Sequence, residues 1–197
     1  MIDSPITWIG SKRRHLDWMF KHFPPPTQST NHFVDCCGGG GCVALNVPGY
    51  SRVTYNDVYG EVTNFFSVLR DPKTSDVLLL QLELTPFSRA ELATAQDRGH
   101  SDKVERARRF WVRCHQSFGG FETNSTWKVS RNQEDAPSQA NARAIARLPY
   151  IAPLLQRWNI ENRDVFKLID FYDTPTTLFY LDPPYVNDQR GAGQNVQ

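Results

Sequence analysis

An α/β fold, with a mostly parallel sheet interrupted by a largely helical insertion, is predicted by three features of this 197-residue sequence. Residues 32–69 alternate strand, glycine turn, helix, strand, acidic residue and helix, the order in which a parallel sheet is wound. Residues 158–161 and 177–181 are further short runs of strand type. Between the two groups, residues 74–147 read as helices and polar turns. The expected division is therefore an α/β domain made of residues 1–73 and 148–197, with 74–147 inserted into it.

Each element has a local reason. Residues 13–23 suit a short helix, ended by Pro24-Pro25-Pro26 because proline offers no amide proton. His32-Phe33-Val34-Asp35 is apolar, short and followed by a glycine cluster, as a buried strand should be. Residues 43–47 begin a helix that Pro48-Gly49 stops. Arg52-Val53-Thr54-Tyr55-Asn56 carries β-branched and aromatic residues and reads as a second strand. Asp57 stands at its end, and residues 58–69 have helical periodicity. In the insertion, Ser88-Arg89-Ala90-Glu91 is a capping box opening a helix to about residue 97. Residues 104–117 form another, broken by Phe118-Gly119-Gly120-Phe121. A polar stretch over 121–137, with Trp127 and Val129 suited to a hairpin, leads to a last helix over 138–148.

Composition excludes several classes. Hydrophobic residues make up 40% and charged residues 22%, ordinary for a globular chain. The longest apolar runs, such as Val77-Leu78-Leu79-Leu80, are too short to span a bilayer, so no membrane partner is expected. Charges at Asp3, Lys12, Arg13, Arg14, Asp17 and Lys21 argue against a secretory signal and for a cytosolic location. The cysteines at 36, 37, 42 and 114 form no C-x-x-C pair, so they read as small buried side chains and no metal site is expected. Net charge is only +1, yet residues 103–131 hold seven Lys or Arg against two Glu, a local excess that attracts phosphates.

Two motifs carry chemistry. Gly39-x-Gly41-x-x-Ala44 lets the backbone approach a ligand, and Asp57, 18 residues beyond Gly39, is placed to accept hydrogen bonds from ribose hydroxyls. This arrangement suits any adenosine-containing cofactor. The second motif, Asp182-Pro183-Pro184-Tyr185, follows the last strand, where open α/β sheets bind ligands. Two prolines stiffen the loop and leave its carbonyls unpaired with amides of its own. An exocyclic amine on a base is a poor nucleophile because its lone pair is delocalised into the ring. Accepting its protons at Asp182 and the Pro183 carbonyl favours a tetrahedral nitrogen whose lone pair points at an electrophilic methyl group. Tyr185 offers a stacking face for the base.

With these residues in hand, the chain resembles the Dam-type (alpha-group) N6-adenine-specific DNA methyltransferases over essentially all of residues 5–185. Pro5-Ile6-Thr7-Trp8-Ile9-Gly10-Ser11-Lys12 is similar to that family's N-terminal W-x-G-G-K motif. The resemblance implies a Rossmann-like fold that uses S-adenosyl-L-methionine, with Trp8, Gly10 and Lys12 bordering the cofactor pocket. It implies that Asp35, Gly39 and Gly41 surround the methionine part, that Asp57 holds the ribose, and that Asp164 and Val165 touch the adenine. Asp182 to Tyr185 becomes the catalytic motif, acting on an adenine flipped out of double-stranded DNA. Residues 74–147 become the target-recognition region, with Arg113, Lys128 and Arg131 as DNA contacts. Ser11 and Cys37 depart from the family's usual glycine and aromatic residue, and Cys114-His115 and Gly119 from its usual recognition-block residues. Members of the family continue well past the tetrapeptide, whereas only 12 residues follow it here. The expectation is a sheet incomplete at its C-terminus: a fragment, a split gene product completed by another segment or chain, or a degenerate enzyme.

Competing classes are a nicotinamide-dependent oxidoreductase using the same glycine turn, and a DNA-binding module without catalysis. The first leaves the Trp8–Lys12 segment and the proline tetrapeptide without a role. Acceptors such as a cytosine amine, RNA or a protein amide share the chemistry. Protein-amide enzymes typically begin the catalytic motif with Asn, against which Asp182 counts.

Overall fold

The computed structural model describes residues 1–120, 126–130 and 136–184. Tyr185 and Arg131, both singled out above, lie outside the described residues. Four strands, β1 (His32–Asp35), β2 (Arg52–Asn56), β3 (Trp158–Glu161) and β4 (Thr177–Tyr180), pair in parallel in the order β3-β2-β1-β4. Asp35 is in register with Tyr55 on one side and Tyr180 on the other. Because every strand runs the same way, the chain leaves all four at one edge of the sheet. Asp35, Asp57, Asp164 and Asp182 all sit on or just past those ends.

The two faces of the sheet take alternate side chains, as a strand's two-residue period requires. Phe33, Val53 and Tyr55 enter the larger core with Phe65, Phe66 and Trp158. Val34 and Cys36 face the other way, against Leu168 of α9 (Val165–Tyr172). The expected mostly parallel, Rossmann-like α/β fold is present, with helices on both faces of the sheet.

Helices α1 (Leu16–His22), α2 (Cys42–Asn46), α3 (Gly60–Arg70), α5 (Arg89–Ala95), α6 (Lys103–Gln116) and α7 (Pro137–Ile145) lie where the sequence places helices. Helix α1 starts three residues later than expected. Ser88 caps α5 by accepting from the Glu91 amide, 3.1 Å. The Glu91 carboxylate is taken up by Arg108 of α6, which bends the capping box to a tertiary purpose. A bridge between Ser117 and Trp127 supplies the antiparallel pairing suspected there.

Helix α4 (Pro72–Leu84), the short α8 (Leu148–Ile151) and α9 were not among the helices expected from the sequence. α4 begins with an Asp71 cap, accepting from Lys73 N at 3.1 Å, and with Pro72 in its first turn. Its inward stripe is only Ser75, Leu78 and Leu82, while Val77, Leu80 and Leu84 are exposed, so the periodicity is blurred. The expected boundary at 73/74 therefore falls inside a helix. Moreover Val104, Ala107, Phe110, Trp111, Ala144 and Ile145 belong to the same buried cluster as Phe33 and Val53. The helical block shares its core with the sheet.

Candidate active site

The glycine turn is built by strand β2. Gly38 N donates to Asn56 O (2.8 Å), Gly39 N to Asp57 Oδ2 (2.8 Å), and the Tyr55 hydroxyl to Gly39 O (2.6 Å). Gly39 and Gly41 have φ of +48° and +73°, values that penalise any Cβ. A Cβ on Gly39 would also lie 2.2 Å from Trp8 Nε1, so the indole rests directly on this glycine. Gly41 differs from expectation in what it faces. Its missing side chain points at Trp158 (2.9 Å) and Phe66 (3.0 Å), so its role is close packing of α2 on the core.

Asp57 is 9% exposed, and its second oxygen accepts from Tyr59 N at 2.9 Å. Burial raises its pKa even though the Tyr59 and Gly39 amides oppose the rise. Asp35 is more extreme. It is 1% exposed, and neither carboxylate oxygen accepts a well-formed hydrogen bond among the described residues. Burial first, then the charges of Asp57 and Asp182, push its pKa up to about 8, against the opposing pull of the Ala44 amide. A carboxyl buried beside two others favours its protonated form, and a cation brought next to it would favour the charged one.

Asp182 follows β4 and is half-buried, while Pro183 and Pro184 are exposed. Lys12 Nζ lies 2.6 Å from Asp182 Oδ2 and also donates to Gly10 O at 3.2 Å. Gly10 allows that turn with φ of +82°. The structure thus joins the N-terminal motif, the glycine turn, Asp35, Asp57 and Asp182 at one edge of the sheet. Cys37 lies among them with its thiol pushed up to about 11 by burial and by the charges of Asp57 and Asp35, so it stays protonated. No cluster of potential metal ligands is found among the described residues.

Asn56 was missed by sequence reasoning. Its side-chain amide donates to Cys36 O (2.8 Å) and Arg163 O (3.1 Å), and its oxygen accepts from Arg163 N (2.8 Å). It clamps the loop after β3 to the end of β1. Asn162 repeats the device, donating to Asp57 O at 2.7 Å and Val58 O at 2.9 Å. An asparagine inside a strand, where its type is depleted, was the available signal. Asp164 caps α9, accepting from Phe166 N (3.0 Å) and Lys167 N (3.3 Å), and Val165 is that helix's first residue. Both stand past the end of β3, the neighbour of β2.

The basic stretch is corrected by the structure. Arg113 has no exposed side-chain surface: it donates to Ala95 O at 2.7 Å and to Glu61 Oε2 at 3.2 Å. A cation sealed in the core cannot reach a phosphate, so Arg113 leaves the set of DNA contacts. Arg106 pairs with Glu61, Arg108 with Glu91 and Glu105, and Arg109 with Asp97 and Glu105. Three of those carboxylates lie outside residues 103–131, which is why counting charge along the chain overstated the free positive charge. Lys128 remains, half-buried beside the Ser117–Trp127 bridge. His115, one of the departures noted above, stacks on Trp111 at 3.9 Å and approaches Pro5 O at 3.1 Å, which ties α6 to the N-terminal motif.

These groups set a pH dependence of stability. Burial pulls His32 down from 6.5 to about 4 and His115 down to about 3. The unfolded chain therefore takes up protons that the folded chain refuses, and stability is lost as pH falls from 6.5 toward 4. Asp35 has the opposite sign. Folded, it keeps its proton up to about 8, so its contribution fades as pH rises from 3.8 to about 8. Two rings against the Asp35 carboxyl balance at about pH 6.5, and the raised Asp57 carboxyl moves the maximum no higher. Urea midpoints measured from pH 5 to 8 are expected to peak there, and His32→Asn should flatten the acid side.

No curated protein matches the sequence. The family model for the D12 class N6 adenine-specific DNA methyltransferases matches residues 8–196. That match spans the Trp8 turn, the glycine turn and Asp182, which the fold gathers at one sheet edge, and the chain belongs to this family of DNA adenine methyltransferases.

Proposed function

We propose that this chain transfers a methyl group from S-adenosyl-L-methionine to the N6 amine of an adenine flipped out of double-stranded DNA. The observation that carries the reading is that the ends of four parallel strands bring Asp35, Asp57, Asp182 and the glycine turn to one edge of the sheet, with Gly39 N bonded to Asp57 and Lys12 to Asp182. S-adenosyl-L-methionine brings a sulfonium that activates its methyl carbon, together with an ammonium group. Those positive charges match an acidic cleft in which the buried Asp35 would ionise more readily beside a cation. Asp35 and the backbone of the glycine turn would hold the methionine part, with Trp8, Gly10 and Lys12 closing that side. Asp57 would accept from the ribose hydroxyls with its remaining lone pairs, and Asp164 and Val165 would border the adenine ring.

At the reacting end, Asp182 and the Pro183 carbonyl accept the two amine protons and so direct the nitrogen lone pair at the methyl carbon. As the N–C bond forms, the bond from the methyl carbon to the sulfonium would break, its electron pair staying on the sulfur of the departing neutral thioether, and one amine proton would leave by way of Asp182. Extrusion of the base costs a few kcal/mol, and stacking on Tyr185 returns about 1–3 kcal/mol, so the polar contacts share the work of holding it. Residues 74–147 form the target-recognition block, with Lys128 and Arg131 as DNA contacts.

Incubation with methyl-labelled cofactor and adenine-containing duplex, then digestion to nucleosides, tests the whole reading. Label is expected in N6-methyladenosine. Label in a methylated cytosine would move the acceptor, and calorimetric binding of NAD without S-adenosyl-L-methionine would overturn the cofactor.

A further inference from the structure

We infer that Lys12 is a positioning residue for the transfer step, turning the Asp182 carboxylate toward the acceptor amine through their ion pair. The inference rests on Asp182 being the group that accepts the amine protons. Strand β4 ends at Tyr180, so the sheet's hydrogen bonds do not orient Asp182. Leu181 beside it is 51% exposed, and Pro183 and Pro184 are exposed too. What reaches the carboxylate is Lys12, 2.6 Å from Oδ2.

Lys12 is itself aimed. Its ammonium also donates to Gly10 O, across a turn that only glycine adopts without strain. That turn is anchored to the cofactor loop, because Trp8 rests on Gly39 and Ser4 Oγ donates to Gly40 O at 2.5 Å. The cleft end of β4 is thereby registered against the glycine turn by a side chain from the N-terminus. Engaging one carboxylate oxygen sets the rotation of the group and hence the direction of its remaining lone pairs. The same cation offsets the crowding of Asp182 with Asp35 and Asp57.

Ion pairs with this much exposure add little to stability, so the effect belongs in turnover. The test compares Lys12→Met, Lys12→Arg, Asp182→Asn and the Met/Asn double variant, all as the full chain. Turnover is measured at saturating cofactor and DNA, and cofactor Kd by calorimetry. Lys12→Met is expected to lose about 100-fold in kcat, and no more than about tenfold in cofactor Kd because Lys12 also borders that pocket. Lys12→Arg should recover to within about tenfold of the parent. In the Asp182→Asn background, Lys12→Met should cost less than about a further twofold, because both changes remove one interaction.

Unchanged kcat in Lys12→Met overturns the inference. So does a loss confined to cofactor Kd, which would make Lys12 a ligand alone, and so do effects that multiply in the double variant. Full turnover in Asp182→Asn would instead remove the reading of Asp182 itself.

Discussion

Replacing Asp182 by alanine is expected to cut turnover of methyl transfer by about three orders of magnitude, equivalent to about 4 kcal/mol in the barrier. Cofactor Kd should stay within about fivefold of the parent, because Asp35, Asp57 and the glycine turn are left in place. The asymmetry follows from position. Asp182 stands on the loop after β4, outside the buried part of the cleft, whereas Asp35 is 1% and Asp57 9% exposed at the ends of β1 and β2. Removing an acceptor that works only on the amine lowers kcat and kcat/KM together. Single-turnover kinetics beside calorimetry reads both quantities. Loss of cofactor binding together with turnover would mean that Asp182 builds the pocket, and would end its assignment to the amine.

Replacing Arg113 by alanine is expected to destabilise the fold by about 3–5 kcal/mol. The side chain is among the largest fully buried ones, bonded to Ala95 O and Glu61 and lying 5.9 Å from the Phe110 ring. Truncation opens a cavity and takes a cation away from the buried side of Glu61, which keeps Arg106. The measurement is the urea midpoint, together with the salt dependence of duplex binding in whatever fraction remains folded. A phosphate contact would behave in the opposite way. It would leave the midpoint unchanged and reduce the slope of log affinity against log salt by about one. Lys128→Ala is the natural comparison, since Lys128 keeps its place among the proposed DNA contacts.

The sequence was most legible where local chemistry decides the conformation. β1, β2 and β3 fall at the expected residues, because a short apolar or β-branched run between turn signals has few other ways to satisfy its backbone. Ser88 announces α5 because its capping bond is made within three residues. α4 was missed because its buried stripe is narrow, whereas α9 was missed although Asp164 caps it and Val165, Leu168, Ile169 and Tyr172 recur at helical spacing. The glycine turn, Asp57 and Asp182 stood out in the sequence as candidates for the same reason, since particular residue types impose the backbone geometry there, and the fold brings them to one edge of the sheet.

What the sequence by itself determined is the winding order of the α/β unit, the place of the glycine turn and its acidic partner, and the type of chemistry the proline tetrapeptide can host. The tertiary structure alone decided which charges are free and which are spoken for. It buries Arg113 against Glu61, neutralises Arg106, Arg108 and Arg109, sets Lys12 on Asp182 and buries Asp35 deeply enough to raise its pKa. Burial and Coulomb pairing depend on distance in space, and apart from Glu105, one helical turn from Arg108 and Arg109, the partners here lie from 12 to 170 residues apart along the chain. No local pattern encodes such separations, because the energy of a charge is set by what the fold brings within a few ångströms of it.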